Sequence, residues 1–125
     1  MPIIKNEELL LLRAEANMQL GNDQAAVDDI NVVRTTSGGL DPITLGTWQG
    51  WTADQRITEV LYNRWYSLIW EGAHRWIDAR RYGRLAQLPR ARPGDVVFPY
   101  SALPDAECIP RSNQPAVACT PAVGL

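Results

Sequence analysis

The sequence is poor in the groups that most often carry chemistry. Of its 125 residues one is a histidine, His74, and two are cysteines, Cys108 and Cys119. With no second histidine, and no cysteine at ligand-like spacing, neither a zinc-type site nor a Cys/His nucleophile pair is written locally, and no metal or cofactor is called for. Strong net charge is lacking too. Twelve basic against fourteen acidic side chains leave −2, which disfavours a surface built throughout to neutralise phosphates and so a nucleic-acid partner. The longest obvious apolar run, Leu9 to Leu12, is four leucines flanked by Glu7, Glu8 and Arg13. That is far short of the roughly 20 residues of a membrane span and is not a secretory h-region. If the parent protein is exported, its targeting segment has been removed or lies upstream of Met1.

What is present suits one globular domain over residues 1–125, since 46% hydrophobic and 21% charged residues are ordinary globular values. Charge is segregated: residues 1–40 carry −3, 41–72 carry −2, 73–94 carry +5 and 95–125 carry −2. Proline is segregated as well, seven of nine lying from Pro89 onward. Each proline lacks an N–H and fixes φ, so residues 86–125 read as an extended, Pro-rich irregular tail behind a helical body.

Leu9, Leu12, Ala16 and Leu20 recur at steps of three and four, which predicts an amphipathic helix buried along that stripe. Gly21 ends it, and a second stripe runs through Ala26, Ile30 and Val33 until Ser37, Gly38 and Gly39. Residues 1–39 thus form a helical hairpin, LLLLRAEANMQLGNDQAAVDDINVVR, that resembles a single tetratricopeptide unit. Residues 40–52 read as an irregular loop punctuated by Asp41-Pro42, Gly46 and Gly50. Thr52 and Gln55 make a capping-box pattern that starts a third helix at Ala53. Its buried stripe is Ile57, Val60, Leu61, Arg64 and Leu68, widened by Trp65 and Ile69. A fourth helix runs from about Ala73 to Tyr82, completing a second helix pair over residues 53–85. The expected class is all-α.

The ordered set Arg64, Leu68, Glu71-Gly72, Arg75-Trp76, Asp78, Arg80-Arg81 and Gly83, within RWYSLIWEGAHRWIDARRYGRL, is followed by Phe98-Pro99. Together with the hairpin, this set resembles the C-terminal portion of the SusD/RagB family of outer-membrane nutrient-binding lipoproteins. The resemblance covers nearly the whole chain but only part of a family member. Asn63-Arg64 and Ser67-Leu68 stand where the family usually has Glu-Arg and Glu-Leu. The resemblance implies a non-enzymatic role: capture of a glycan or other nutrient at the cell surface, beside a SusC-like TonB-dependent transporter. A tetratricopeptide-like protein-interaction module is the alternative from another class.

Trp48 and Trp51 are the candidate ligand-binding residues, because an indole face covers the apolar face of a pyranose and an irregular segment can present both rings. Covering the open edge of the helical core is the competing role, and the commoner one. Glu71, Arg75, Asp78 and Arg81 fall at steps of four, three and three and read as a structural ion-pair network. A basic patch of Arg80, Arg81, Arg84, Arg90 and Arg92 for an acidic glycan, lipid head groups or RNA is its rival. Glu59 and Glu71, twelve residues apart on one expected helix, sit about 18 Å apart, too far for a glycosidase pair at about 5 to 9.5 Å. No catalytic set emerges. Cys108 and Cys119 close a loop worth on the order of 3 kcal/mol as a disulfide, which suits an exported location; two free thiols are the alternative.

Overall fold

The computed structural model describes residues 4–69, 72 and 74–100. Among them there is no strand, and the architecture is all-α. Helix α1 spans Asn6–Leu20, α2 Asp23–Thr36, α3 Leu45–Gly50, α4 Ala53–Ser67 and α5 His74–Arg81, with a 3-10 turn at Leu85–Gln87. The chain divides into two compact units, residues 1–75 and 76–125.

In the first unit, α1 stops because Gly21 adopts φ +79°, the left-handed conformation that glycine tolerates best. The Gly21 N–H then donates to Met18 O (3.2 Å) and the Asn22 N–H to Asn17 O (2.9 Å), closing off orphan carbonyls in a Schellman arrangement. Helix α2 folds back along α1. Ala14 and Ala26 are wholly buried in a core shared with Val27, Ile30, Ile43, Trp48 and Val60. Small residues at that seam let the two backbones approach closely.

The buried face of α1 is not the expected one. Leu9, Leu12, Ala16 and Leu20 are all exposed, Leu12 at 55%, while Leu11, Ala14 and Glu15 are buried. Four consecutive leucines offer an apolar residue at every phase, so spacing alone does not choose the face. The choice comes from α4, whose buried Arg64 donates from Nη2 to Glu15 Oε2 at 2.6 Å. Along α2 the expected stripe holds, with Ala26, Ile30 and Val33 buried; along α4 Val60, Arg64 and Leu68 are buried, Ile57, Leu61 and Trp65 are half-buried, and Ile69 is half exposed. Asp29 of α2 accepts two hydrogen bonds from Arg13, at 2.8 and 2.6 Å. These bonds, and then the charge of Asp29, hold the Arg13 pKa above its ordinary value.

The segment after α2 is tied down by two side chains of that helix, Arg34, whose Nε donates to Asp41 O (3.1 Å), and Asn31. Asn31 Nδ2 donates to Ile43 O (2.8 Å) and Asn31 Oδ1 accepts the Ile43 N–H (2.7 Å). This satisfies both backbone groups of a residue that is buried without a helix or strand of its own. Residues 45–50, expected as loop, form the short helix α3. Thr44 caps it by accepting the Thr47 N–H at 3.1 Å. The capping box of α4 forms in full: the Gln55 N–H donates to Thr52 Oγ1 and the Thr52 N–H to Gln55 Oε1.

In the second unit, the end of α5 is closed by Gly83 at φ +66°, beyond which the Arg84 N–H donates to Ala79 O. The extended segment through Phe98-Pro99 is fastened to the helix. Trp76 Nε1 donates to Phe98 O (2.9 Å), and Arg80 lies 5.0 Å from the Trp76 ring centre while reaching Pro99 O.

Two stability measurements follow from these placements. In urea unfolding, Leu11→Ala should cost about 2–5 kcal/mol, whereas Leu12→Ala should change stability by less than about 0.5 kcal/mol; the reverse order would restore the expected face. Asn31→Ala should cost about 1–3 kcal/mol and abolish slow hydrogen exchange at the Ile43 amide, which a loop held by other means would retain.

Candidate functional site

Asp23 opens α2, where the exposed N–H groups of a helix start favour a carboxylate. Its Oδ1 accepts from Trp48 Nε1 (3.0 Å) and from Arg56 Nη1 (3.1 Å). Arg56 also donates from Nε to Trp48 O (3.0 Å) and from Nη2 to Gln49 O (3.2 Å). One guanidinium thus satisfies carbonyls at the end of α3 and the carboxylate at the start of α2. These bonds hold three helices at a common point, and both polar ends of Trp48 are engaged.

Trp48 is completely buried, with no ring face open to solvent. In this arrangement it is a core anchor. Trp51, three residues on, is half-buried; its ring centre lies 5.9 Å from that of Trp48, at 53°. It forms part of the wall of an open cleft of about 250 Å³, with Met18 and Gln19 from α1 and Ala53, Arg56 and Ile57 from α4. The cleft therefore has an indole, apolar side chains and the amide of Gln19, a combination suited to an amphipathic ligand. The two tryptophans are adjacent, but only Trp51 reaches the cleft.

Arg56 and Asp23 escaped sequence reasoning, although one cue was available. A cation in the opening turn of a helix faces the unfavourable end of the dipole, so its guanidinium has other employment. Asp23 offered no comparable cue, because its partners lie 25 and 33 residues away.

Of the expected ion-pair network, Glu71 lies outside the described residues. Arg75 meets an aromatic ring, its Cζ 3.2 Å from the centre of Trp65. Burial lowers the Arg75 pKa from its ordinary value, partly opposed by Tyr66. Asp78 is buried, and Arg81 lies 5.3 Å from the Tyr82 ring centre. Cys108 and Cys119 also lie outside the described residues.

Two further candidate groups have structural partners. Glu59 is bound by Arg34 and by Asn63 Nδ2, the latter at 2.6 Å. His74 Nε2 sits 3.6 Å from Glu8 Oε1. Among the described residues no group of three or more His, Cys, Asp or Glu side chains could hold a metal ion, and no helix is long and apolar enough to cross a membrane.

No curated protein and no solved structure was found to match the chain. A protein-family model does match, that of the SusD family, over residues 1–115. Its members are helical, tetratricopeptide-like surface lipoproteins of the outer membrane that bind nutrients rather than transform them, in partnership with SusC-like transporters. The hairpin, the α4–α5 motif and a match spanning most of the sequence agree: this chain belongs to the SusD/RagB family.

Proposed function

We propose that this chain takes part in the non-covalent capture of an oligosaccharide or other nutrient at the outer-membrane surface, beside a SusC-like TonB-dependent transporter. Trp51 supplies the stacking face. The observation that carries this reading is the half-buried indole on the wall of the cleft between α1 and α4. Sugars present flat C–H faces rimmed by hydroxyls, and an indole matches the first while an amide such as that of Gln19 matches the second. Trp48 acts indirectly. Held by Asp23, it fixes the short helix that delivers Trp51, so little conformational freedom remains to be lost on binding.

Calorimetric titration of the chain against a panel of oligosaccharides tests this. Trp51→Ala should weaken the bound saccharide by about tenfold or more, and Trp51→Phe should retain part of the affinity. Equal affinities for the wild type and Trp51→Ala would remove Trp51 from the site.

A further inference from the structure

The walls of the Trp51 cleft are short. Met18 and Gln19 supply the α1 side, and Ala53, Arg56 and Ile57 the α4 side, so each helix contributes no more than about one turn, roughly 5.4 Å of length. The volume of about 250 Å³ falls below the roughly 300–1,000 Å³ of pockets that enclose drug-sized ligands. A six-membered sugar ring covers about the length of one helical turn. The cleft therefore seats one ring against the Trp51 indole and not a run of chain.

Of the described residues on these walls, Arg56 alone is ionised, and its charge is engaged inside the protein. Nε donates to Trp48 O (3.0 Å), Nη2 to Gln49 O (3.2 Å) and Nη1 to Asp23 Oδ1 (3.1 Å). Every guanidinium nitrogen thus already has an internal acceptor, and the charge already has a counter-ion. The paired side chains of Arg56 and Asp23 are only 23% and 20% exposed, so water screens their mutual attraction less than it would at an open surface. A ligand carboxylate placed beside Arg56 would also meet the field of Asp23, and would give up hydration without gaining an uncompensated cation. A hydroxyl gives up far less, and the Gln19 amide offers it both a donor and an acceptor. The helices add no net bias, because the end of α1 and the start of α4 carry opposite partial charges.

We infer that the Trp51 cleft is selective for one uncharged pyranose unit, and that Asp23 sets this selectivity by holding the Arg56 charge in a closed internal pair. Asp23 is a positioning residue here, since its effect on the sugar passes through Arg56. This rests on the reading of the cleft as a saccharide site, to which it adds the class of sugar and the number of units taken.

The test is calorimetry on the full chain at low salt with methyl glucoside, methyl glucuronide, cellobiose and cellotetraose, and with the corresponding galactose series. In at least one series the methyl glycoside should bind, with the tetrasaccharide less than about tenfold tighter. The uronide, which differs only in carrying a carboxylate in place of the C6 alcohol, should bind several-fold more weakly than its glycoside. Both comparisons use the wild-type chain, so they hold even if a variant folds poorly. Asp23→Asn keeps an oxygen to accept from Trp48 Nε1 and removes the charge opposite Arg56. It should raise the uronide-to-glycoside affinity ratio several-fold, whatever it does to the two affinities separately. A uronide that binds the wild type as tightly as its glycoside, or an unchanged ratio in Asp23→Asn, overturns the charge selectivity. A tetrasaccharide more than about tenfold tighter than the methyl glycoside, with that affinity lost in Trp51→Ala, overturns the single-unit seat and leaves the saccharide reading intact. Equal affinities for the wild type and Trp51→Ala, or no binding of any sugar, defeat that reading itself.

Discussion

Glu15 and Arg64 meet at 2.6 Å in the interior of the first unit, with side chains only 3% and 8% exposed. Neither charge could be left there alone without a penalty of several kcal/mol, so α1 and α4 must be rotated until the two groups face each other. That constraint explains an otherwise odd feature of α1. It turns Glu15 inward together with Leu11 and Ala14, and it sends Leu9, Leu12 and Leu20 to the surface. The Arg64 guanidinium also approaches Leu11 O at 3.4 Å, tying the same turn of α1 by its backbone.

The consequence reaches the cleft. Met18 and Gln19 follow Glu15 by one helical turn, and Ile57 precedes Arg64 by about two. The buried pair and the cleft thus lie along one antiparallel seam between α1 and α4, with the charges fixing the rotation of both walls. Asp23 and Arg56 complete the frame by locking α3 against the start of α2 and delivering Trp51. The polar interior specifies the arrangement, while Trp48, Leu11, Ile30, Val33 and Val60 are the largest fully buried side chains of the apolar core.

The parts of this fold governed by local rules were legible in the sequence. Gly21 marks the hairpin turn, the Thr52 and Gln55 pair marks the start of α4, and spacing gives the buried face of α2 and the centre of that of α4 at Val60, Arg64 and Leu68. What depends on distant partners was not. The face of α1 is selected by a residue 49 positions away, and the leucine run conceals the choice. Helix α3 is six residues long and contains Gly46 and Gly50, so no periodicity announces it; Thr44 and the anchoring of Trp48 bring it about. Arg75 stands at i, i+4 and i, i+3 steps from Glu71 and Asp78, which the sequence shows, and Glu71 lies outside the described residues. The contact of Arg75 with Trp65, ten residues earlier, crosses the break between α4 and α5. The resemblance to the SusD/RagB family was legible because its ordered set of residues survives substitutions such as Asn63.

The rotation of α1 against α4 depends on the coupling between Glu15 and Arg64. A double-mutant cycle with Glu15→Gln, Arg64→Met and the double variant, followed by urea unfolding, measures it. The expected interaction energy is about 2–3 kcal/mol, with the double variant more stable than the sum of the single losses would give. Additive losses, within about 0.5 kcal/mol, would mean that the two charges do not set the rotation of α1 against α4, and the derivation of the cleft from that seam would fail.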